Sequence, residues 1–280
     1  MAMKRLLWTL MVLGACALAF AQDYPFSIVE SGTGEQAVIL IPGFACSGDV
    51  WTETVEALKD DCTCYVLTFA GFAGTAPEEH PSFGRWKTQI AEFIKDKRME
   101  RPVLMGHSMG GGLALAIAAE FPELVQKVVV VDALPCLQAL TVPGFKPSSD
   151  NHCREVVNRI VSMDDSRFAQ MQRMGAATLT TDSLKCTEIV NWGLASDRKT
   201  YAELFCDFSN TDLRECIRYI TVPSLILLEP SFRNLDTMIK EQYKNLSGAQ
   251  IKYADKGLHF IMFDDKEWFL SQIRAFITER

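Results

Sequence analysis

Ser108 stands in the run Gly106-His107-Ser108-Met109-Gly110, which reads G-x-S-x-G. An apolar stretch, Pro102-Val103-Leu104-Met105, precedes it, and a small-residue helical stretch from Gly111 to Ala119 follows. Strand, glycine turn and helix together form the setting that holds a serine up as a nucleophile. Glycines let the chain pass close by and tolerate unusual backbone angles. A helix starting at Met109 aims its first amides at charge that develops near Ser108. The rival reading, a phosphate-binding turn, lacks both G-x-G-x-x-G and G-K-[ST].

A serine hydroxyl attacks a carbonyl at neutral pH only with a base in reach, a group that orients the base, and donors for the oxyanion. The chain has four histidines. His107 lies inside the turn, where adjacent side chains point apart. His80 follows Glu78-Glu79 in an expected loop, and His152 falls in a polar helical region. His259, on Gly257-Leu258-His259 between the last expected strand and the last helix, is the candidate base. Asp132 ends the run Val128-Val129-Val130-Val131 and is a candidate acid. The site must lie at the C-terminal edge of a sheet, because Ser108 also follows a strand end. The competing reading of Asp132 is structural: a carboxylate bonding a loop amide at the strand end.

These residues need a scaffold. Strands are expected at 26–30, 37–41, 64–68, 102–105, 128–131, 222–228 and 250–253, from alternating or continuous apolar patterns. Helices are expected between them. One follows Asp49 as its N-cap, with Trp51, Val55 and Leu58 on one face. Another carries Trp86, Ile90, Phe93 and Ile94, and the last covers 266–278. The alternation predicts an α/β fold with a mostly parallel sheet and helices on both faces. From Ala133 to about Thr221 strands vanish. Helix-compatible stretches at 154–163, 168–177, 184–193 and 200–204 predict an inserted helical cap over 133–220, leaving 22–132 and 221–280 as the core. Phe72, Trp86, Phe145, Met171, Met174 and Trp192 are candidates to line an apolar pocket.

The chain resembles the α/β-hydrolase superfamily from about Phe26 to Arg280. The resemblance rests on Ile41-Pro42-Gly43-Phe44, the serine turn, Val130-Val131-Asp132, Val222-Pro223-Ser224-Leu225 and Gly257-Leu258-His259-Phe260. It implies a triad in the order serine, acid, histidine, which Ser108 and His259 match. It implies an oxyanion hole from the N–H of Met109 and the N–H of Phe44. Many relatives read His-Gly-Phe where this chain has Pro42-Gly43-Phe44; the Phe44 amide survives that change. The acid departs from the common pattern. Many relatives place an aspartate a few residues beyond the strand at 222–228. Here Glu229-Pro230-Ser231-Phe232-Arg233 stands there, and no aspartate follows until Asp236. Some haloalkane dehalogenases and lipases of the superfamily carry the acid after the same strand as Asp132. Asp132, Glu229 and Asp236 therefore all stay open.

Serine at 108 disfavours dehalogenase and epoxide-hydrolase chemistry, which by resemblance would need aspartate there. The expected function is a serine esterase (EC 3.1.1) that cleaves a small-molecule carboxylic ester, thioester or lactone through an acyl-enzyme. An acyltransferase or a cofactor-free haloperoxidase-like enzyme would use the same residues. A catalytically silent binding protein on this scaffold is the reading of another class. No cofactor is expected. No metal is expected either: Cys62-Thr63-Cys64 lacks C-x₂-C spacing, and His152-Cys153 has no partner pair at a zinc-like interval.

The N-terminus reads as a targeting segment. Lys4-Arg5 precede an apolar stretch over 6–20, and Ala19-Phe20-Ala21 forms an A-x-A-like cleavage site. Cleavage after Ala21 and a periplasmic or secreted protein are expected. The rivals are an uncleaved anchor and lipidation at Cys16, after the lipobox-like Leu13-Gly14-Ala15; only these would bring a membrane into play. Losing Lys4 and Arg5 takes the net charge from −7 to −9, which argues against nucleic acid as a partner. Nine cysteines become eight without Cys16, an even set that suggests disulfides in an oxidising compartment. Five of these lie between Cys136 and Cys216, so that region is expected to be stapled.

Overall fold

The computed structural model describes residues 24–148 and 153–278. The expected signal segment 1–21, with Cys16 and the Ala21 cleavage point, and His152 lie outside these residues. Seven strands form one sheet: β1 (Phe26–Ser31), β2 (Gln36–Ile41), β3 (Cys62–Phe69), β4 (Val103–His107), β5 (Lys127–Val131), β6 (Ser224–Leu228) and β7 (Gln250–Tyr253). Their spatial order is β1-β3-β2-β4-β5-β6-β7. Only β1 runs antiparallel, against β3; the other pairs are parallel. The central strands β4, β5 and β6 are buried along their whole length. A parallel sheet covered on both faces makes each such strand read as a continuous apolar run. β6 starts two residues later than the apolar run suggested. Pro223 has no N–H for the ladder, although its carbonyl still accepts from Val128 N at 3.0 Å.

The helices are α1 (Thr52–Leu58), α2 (Phe83–Asp96), α3 (Met109–Glu120), α4 (Cys153–Val161), α5 (Asp165–Ala176), α6 (Ser183–Ala195), α7 (Arg198–Ser209), α8 (Asp236–Tyr243), α9 (Ile261–Asp264) and α10 (Lys266–Thr278). α2 is amphipathic and capped by Ser82, whose hydroxyl accepts from Arg85 N. Its Trp86 stacks on Phe69 of β3, with ring centroids 4.1 Å apart. α3 is apolar all round, and every residue from Met109 to Ala119 is buried. Such a helix is core on all sides. Asp49 does not cap α1. Ser47 caps a short 3-10 turn over Gly48–Trp51 instead, and α1 follows directly from that turn.

Between β5 and β6 the chain leaves the sheet and builds α4 to α7. A small core of Ile160, Phe168 and Ala202 holds α4, α5 and α7 together. Three hydrogen bonds tie the insertion to the loop after β3: Asp197 N donates to Gly71 O at 2.7 Å, Ala73 N donates to Ser196 Oγ at 3.0 Å, and Gly74 N donates to Ala195 O at 3.1 Å.

Cysteine pairing is sparser than the even count suggested. Cys153 of α4 is bonded to Cys206 of α7, and Cys46, Cys62, Cys64, Cys136, Cys186 and Cys216 are free thiols. Cys46, Cys62, Cys64 and Cys136 are buried and pack as small apolar side chains. Burial pushes the thiols of Cys46 and Cys64 up to about 12, which makes them poor nucleophiles at neutral pH. Non-reducing peptide mapping is expected to recover Cys153 linked to Cys206. Alkylation of the folded protein should spare Cys46 and Cys64 and reach them only after denaturation.

Candidate active site

Ser108 caps α3 with φ 53° and ψ −121°, a sparsely populated conformation for a residue with a side chain. Tight backbone packing holds it there. Ser108 N donates to Val131 O at 2.9 Å, and Gly112 N donates to Ser108 O at 3.1 Å. Gly106 is required by space: a Cβ there would lie 2.0 Å from the carbonyl oxygen of Gly110. The loop after β2 runs against the same turn. A Cβ on Gly43 would come within 3.3 Å of the Ser108 Cβ and 2.8 Å of His107 Nδ1. Phe44 follows Gly43 in that loop, and Met109 is the first residue of α3. The amides of a helix's first turn have no partner within the helix.

Asp132 also takes a left-handed conformation, with φ 48°. Its N–H still donates to Leu227 O at 2.7 Å, as the last rung beyond β5. The turn brings its carboxylate under His259. Oδ2 lies 2.6 Å from His259 Nδ1, and Oδ1 accepts from Glu229 N at 2.7 Å. The Asp132 side chain is only 2% exposed, against 25% for His259. A buried carboxylate with this acceptor geometry fixes the imidazole with a proton on Nδ1 and leaves Nε2 to work as a base. Two readings of Asp132, acid partner and strand-end brace, thus occur together in one side chain.

The other two carboxylates do not reach the His259 ring. Glu229 gives Asp132 its backbone N–H, while its own carboxylate accepts from the Ser231 hydroxyl. Burial raises its pKa above the usual carboxylate value, and the Asp132 charge adds to that. Asp236 accepts from Tyr253 Oη at 2.8 Å and pairs with Lys240, which lowers its pKa.

His107 is fully buried beside the base. Its Nε2 lies 3.1 Å from the carbonyl oxygen of His259, and the two rings are 4.6 Å apart. A carbonyl only accepts, so Nε2 carries a proton. Burial, and then the neighbouring His259, hold its pKa well below 6.5. His107 thus braces the His259 loop from below. A second brace, Asp264, was not anticipated as a site residue. Its carboxylate accepts from Leu258 N at 2.9 Å and from Thr180 Oγ1 at 2.7 Å, joining the His259 loop to the segment between α5 and α6. The Asp264-Asp265 pair was visible in the sequence, but nothing local told a loop clamp from a solvated acidic pair.

Ser108 and His259 open onto a cavity of about 220 Å³ roofed by α5, α6 and α7. Phe44, Tyr201, Phe205, Phe208 and Phe260 give it an aromatic lining, and Met171 adds a thioether. Of the six pocket candidates from sequence, Met171 alone lines it. Phe72 and Trp86 are fully buried core, Phe145 lies by a separate surface cleft, Met174 is 66% exposed, and Trp192 packs against the core cluster that contains Val38, Leu40 and Trp51. Helical spacing marked these residues as apolar without saying which way each faced. Among the described residues, no group of three or more His, Cys, Asp or Glu is arranged to hold a metal ion.

Residues 36–265 match a family model described as alpha/beta hydrolase fold. The chain is 24% identical over 248 residues to a pimeloyl-[acyl-carrier protein] methyl ester esterase of Vibrio parahaemolyticus, covering 86% of this chain and 94% of that one. Among solved structures, an esterase from Exiguobacterium antarcticum superposes with a TM-score of 0.76 at 17% identity, covering 91% of this chain and 96% of that one. The enol-lactonase of Burkholderia xenovorans superposes with a TM-score of 0.75 at 15% identity, with coverage of 91% and 96%.

The neutral His107 predicts a pH dependence of stability. Below pH 6.5 the unfolded chain binds a proton at this histidine and the folded chain does not. Stability is therefore expected to fall as pH drops below that value, by up to about 1.4 kcal/mol per pH unit from this group. In urea titrations between pH 7 and 5, His107→Gln, which keeps a donor for the His259 carbonyl, should remove one proton from that slope. An unchanged slope would show that His107 is charged in the folded protein.

Proposed function

The chain belongs to the alpha/beta hydrolase fold family, and on that basis we propose that it is a serine esterase acting through Ser108, His259 and Asp132. The observation that carries this reading is the 2.6 Å contact between Asp132 and His259 beside a strained Ser108 on one shared cavity. Ester cleavage is also the chemistry named for the Vibrio relative. In the first half-reaction His259 Nε2 takes the Ser108 proton as Oγ attacks the ester carbonyl carbon. The C=O pair moves onto oxygen, and the N–H groups of Phe44 and Met109 stabilise that charge. Each such donor is worth about 3–4 kcal/mol in the transition state. Collapse breaks the bond to the alcohol oxygen, which receives the proton from His259. Water then repeats the sequence on the acyl-enzyme and releases the acid. Throughout, Asp132 keeps Nδ1 protonated and stabilises the imidazolium. The helical insertion over 133–220 acts as a cap whose aromatic lining suits an aliphatic or aryl acyl group.

The reading extends to location. A cleaved signal peptide ending at Ala21 and a periplasmic or secreted mature protein fit the Cys153–Cys206 bridge, since such bonds persist in oxidising compartments.

A fluorophosphonate probe is expected to label the purified protein on Ser108 and to leave Ser108→Ala unlabelled, with His259→Ala labelling far more slowly. Equal labelling of Ser108→Ala would overturn the reading. Asp132→Asn should lower kcat on a short-chain p-nitrophenyl ester by about 10⁴-fold, as loss of the orienting acid does in a triad, while Asp236→Asn stays within about twofold. Edman sequencing of the exported protein should begin at Gln22; a chain retaining Met1, or lipid on Cys16, would contradict cleavage after Ala21.

A further inference from the structure

A second cavity, of about 340 Å³, meets Ser108 and His259 from the Asp132 side. Its walls are apolar: Leu134, Leu137, Phe208 and Phe232 line it. Besides the buried Asp132, Glu229 is the acidic residue among the described residues that line it. The Ser231 hydroxyl donates to its Oε1, and Oε2 accepts from none of the described residues. Among the described residues, no lysine or arginine lines the cavity, and His259 does. Arg233, four residues on, turns instead to Asp255 and to the carbonyls of Tyr253 and Ala254. The mechanism has no task for the Glu229 carboxylate, because Asp132 already holds Nδ1 of His259.

The cost of burying a carboxylate is met by protonation or by a nearby positive charge, and a bound cation would favour the ionised form of Glu229. Here the surroundings are those that favour an organic cation. Aromatic faces attract an ammonium through their quadrupole, and apolar walls accept its alkyl groups. An anionic group in the same place would meet Glu229 and Asp132 together and be repelled. The first cavity contains Phe44 of the oxyanion loop and takes the acyl chain. The Glu229 cavity is then left for the alcohol, whose oxygen must lie against His259 to receive its proton.

We propose that the Glu229 cavity is an alcohol-side subsite selecting esters whose alcohol carries a cationic ammonium group, with Glu229, Phe208 and Phe232 as the recognising side chains. The proposal rests on the serine-esterase reading and names a substrate class for it. Recognition is by charge and shape, so a quaternary ammonium and its neutral carbon isostere separate the two contributions.

The test compares choline butyrate with 3,3-dimethylbutyl butyrate, which differ by N⁺ against carbon at one position. The wild type is expected to favour the choline ester in kcat/KM by tenfold or more. Glu229→Gln should bring that ratio close to one, whatever it does to the absolute rates. Should Glu229→Gln fold poorly, the wild type alone supplies a second measurement: tetramethylammonium should inhibit competitively at concentrations where neopentyl alcohol does not. A wild-type enzyme that labels with fluorophosphonate and hydrolyses both esters at equal kcat/KM overturns the subsite. So does a choline preference that survives Glu229→Gln. A protein that neither labels nor hydrolyses either ester fails at the esterase reading instead.

Discussion

Ser108 holds a backbone conformation that costs of order 1–3 kcal/mol, and the centre of the fold is arranged around keeping it there. β4 delivers the chain to the turn, α3 carries it away, and the two lie so close that position 106 has no room for a Cβ. α3 can pack this tightly because its inner surface is built from glycine and alanine and is buried on all sides. The β2 loop closes the turn from above through Gly43, which lies against His107 and the Ser108 Cβ. A side chain at any of these contacts would push the oxyanion loop, the helix or the serine out of register.

The second constraint is electrostatic. Asp132 is nearly fully buried, yet it satisfies both oxygens: one meets the base, and the other takes the Glu229 amide beyond the neighbouring strand. A buried carboxylate with one acceptor site empty would be expensive. The Glu229 amide therefore stabilises Asp132 and fixes its rotamer in one contact. His107 and Asp264 brace the other end of the arrangement, each holding the backbone next to His259. Precision at the site comes from these backbone contacts, which are less easily displaced than long side chains.

The insertion between β5 and β6 plays a different part. It packs Leu204, Leu213 and Ile217 into the main core, and has a small core and a disulfide of its own. Its helices bring aromatic side chains over the serine, while the sheet supplies the reacting groups. This division lets the lining vary without disturbing the strained turn.

Sequence alone determined the serine turn, the strand–helix alternation and the position of His259, because these are local signals: glycine spacing, apolar period and chain order. The α/β fold class followed from them, with β1 reversed as the single antiparallel strand. Three matters were decided by tertiary structure. Among Asp132, Glu229 and Asp236 the choice of contact with His259 depended on strand order, which sets β5 beside both β4 and β6. Chain position could not rank them, since each follows a strand end or a short turn. Which aromatics line the cavity depended on helix rotation, so Phe44, Tyr201, Phe205 and Phe208 took places the apolar pattern had offered to others. Cysteine pairing depended on distance: among the described residues Cys153 and Cys206 are joined, with Cα atoms 5.6 Å apart, while Cys62 and Cys64 sit side by side in β3 as core side chains. Local patterns fix what an element is and which groups it carries; which of those groups meet is a long-range property of packing, and no spacing along the chain encodes it.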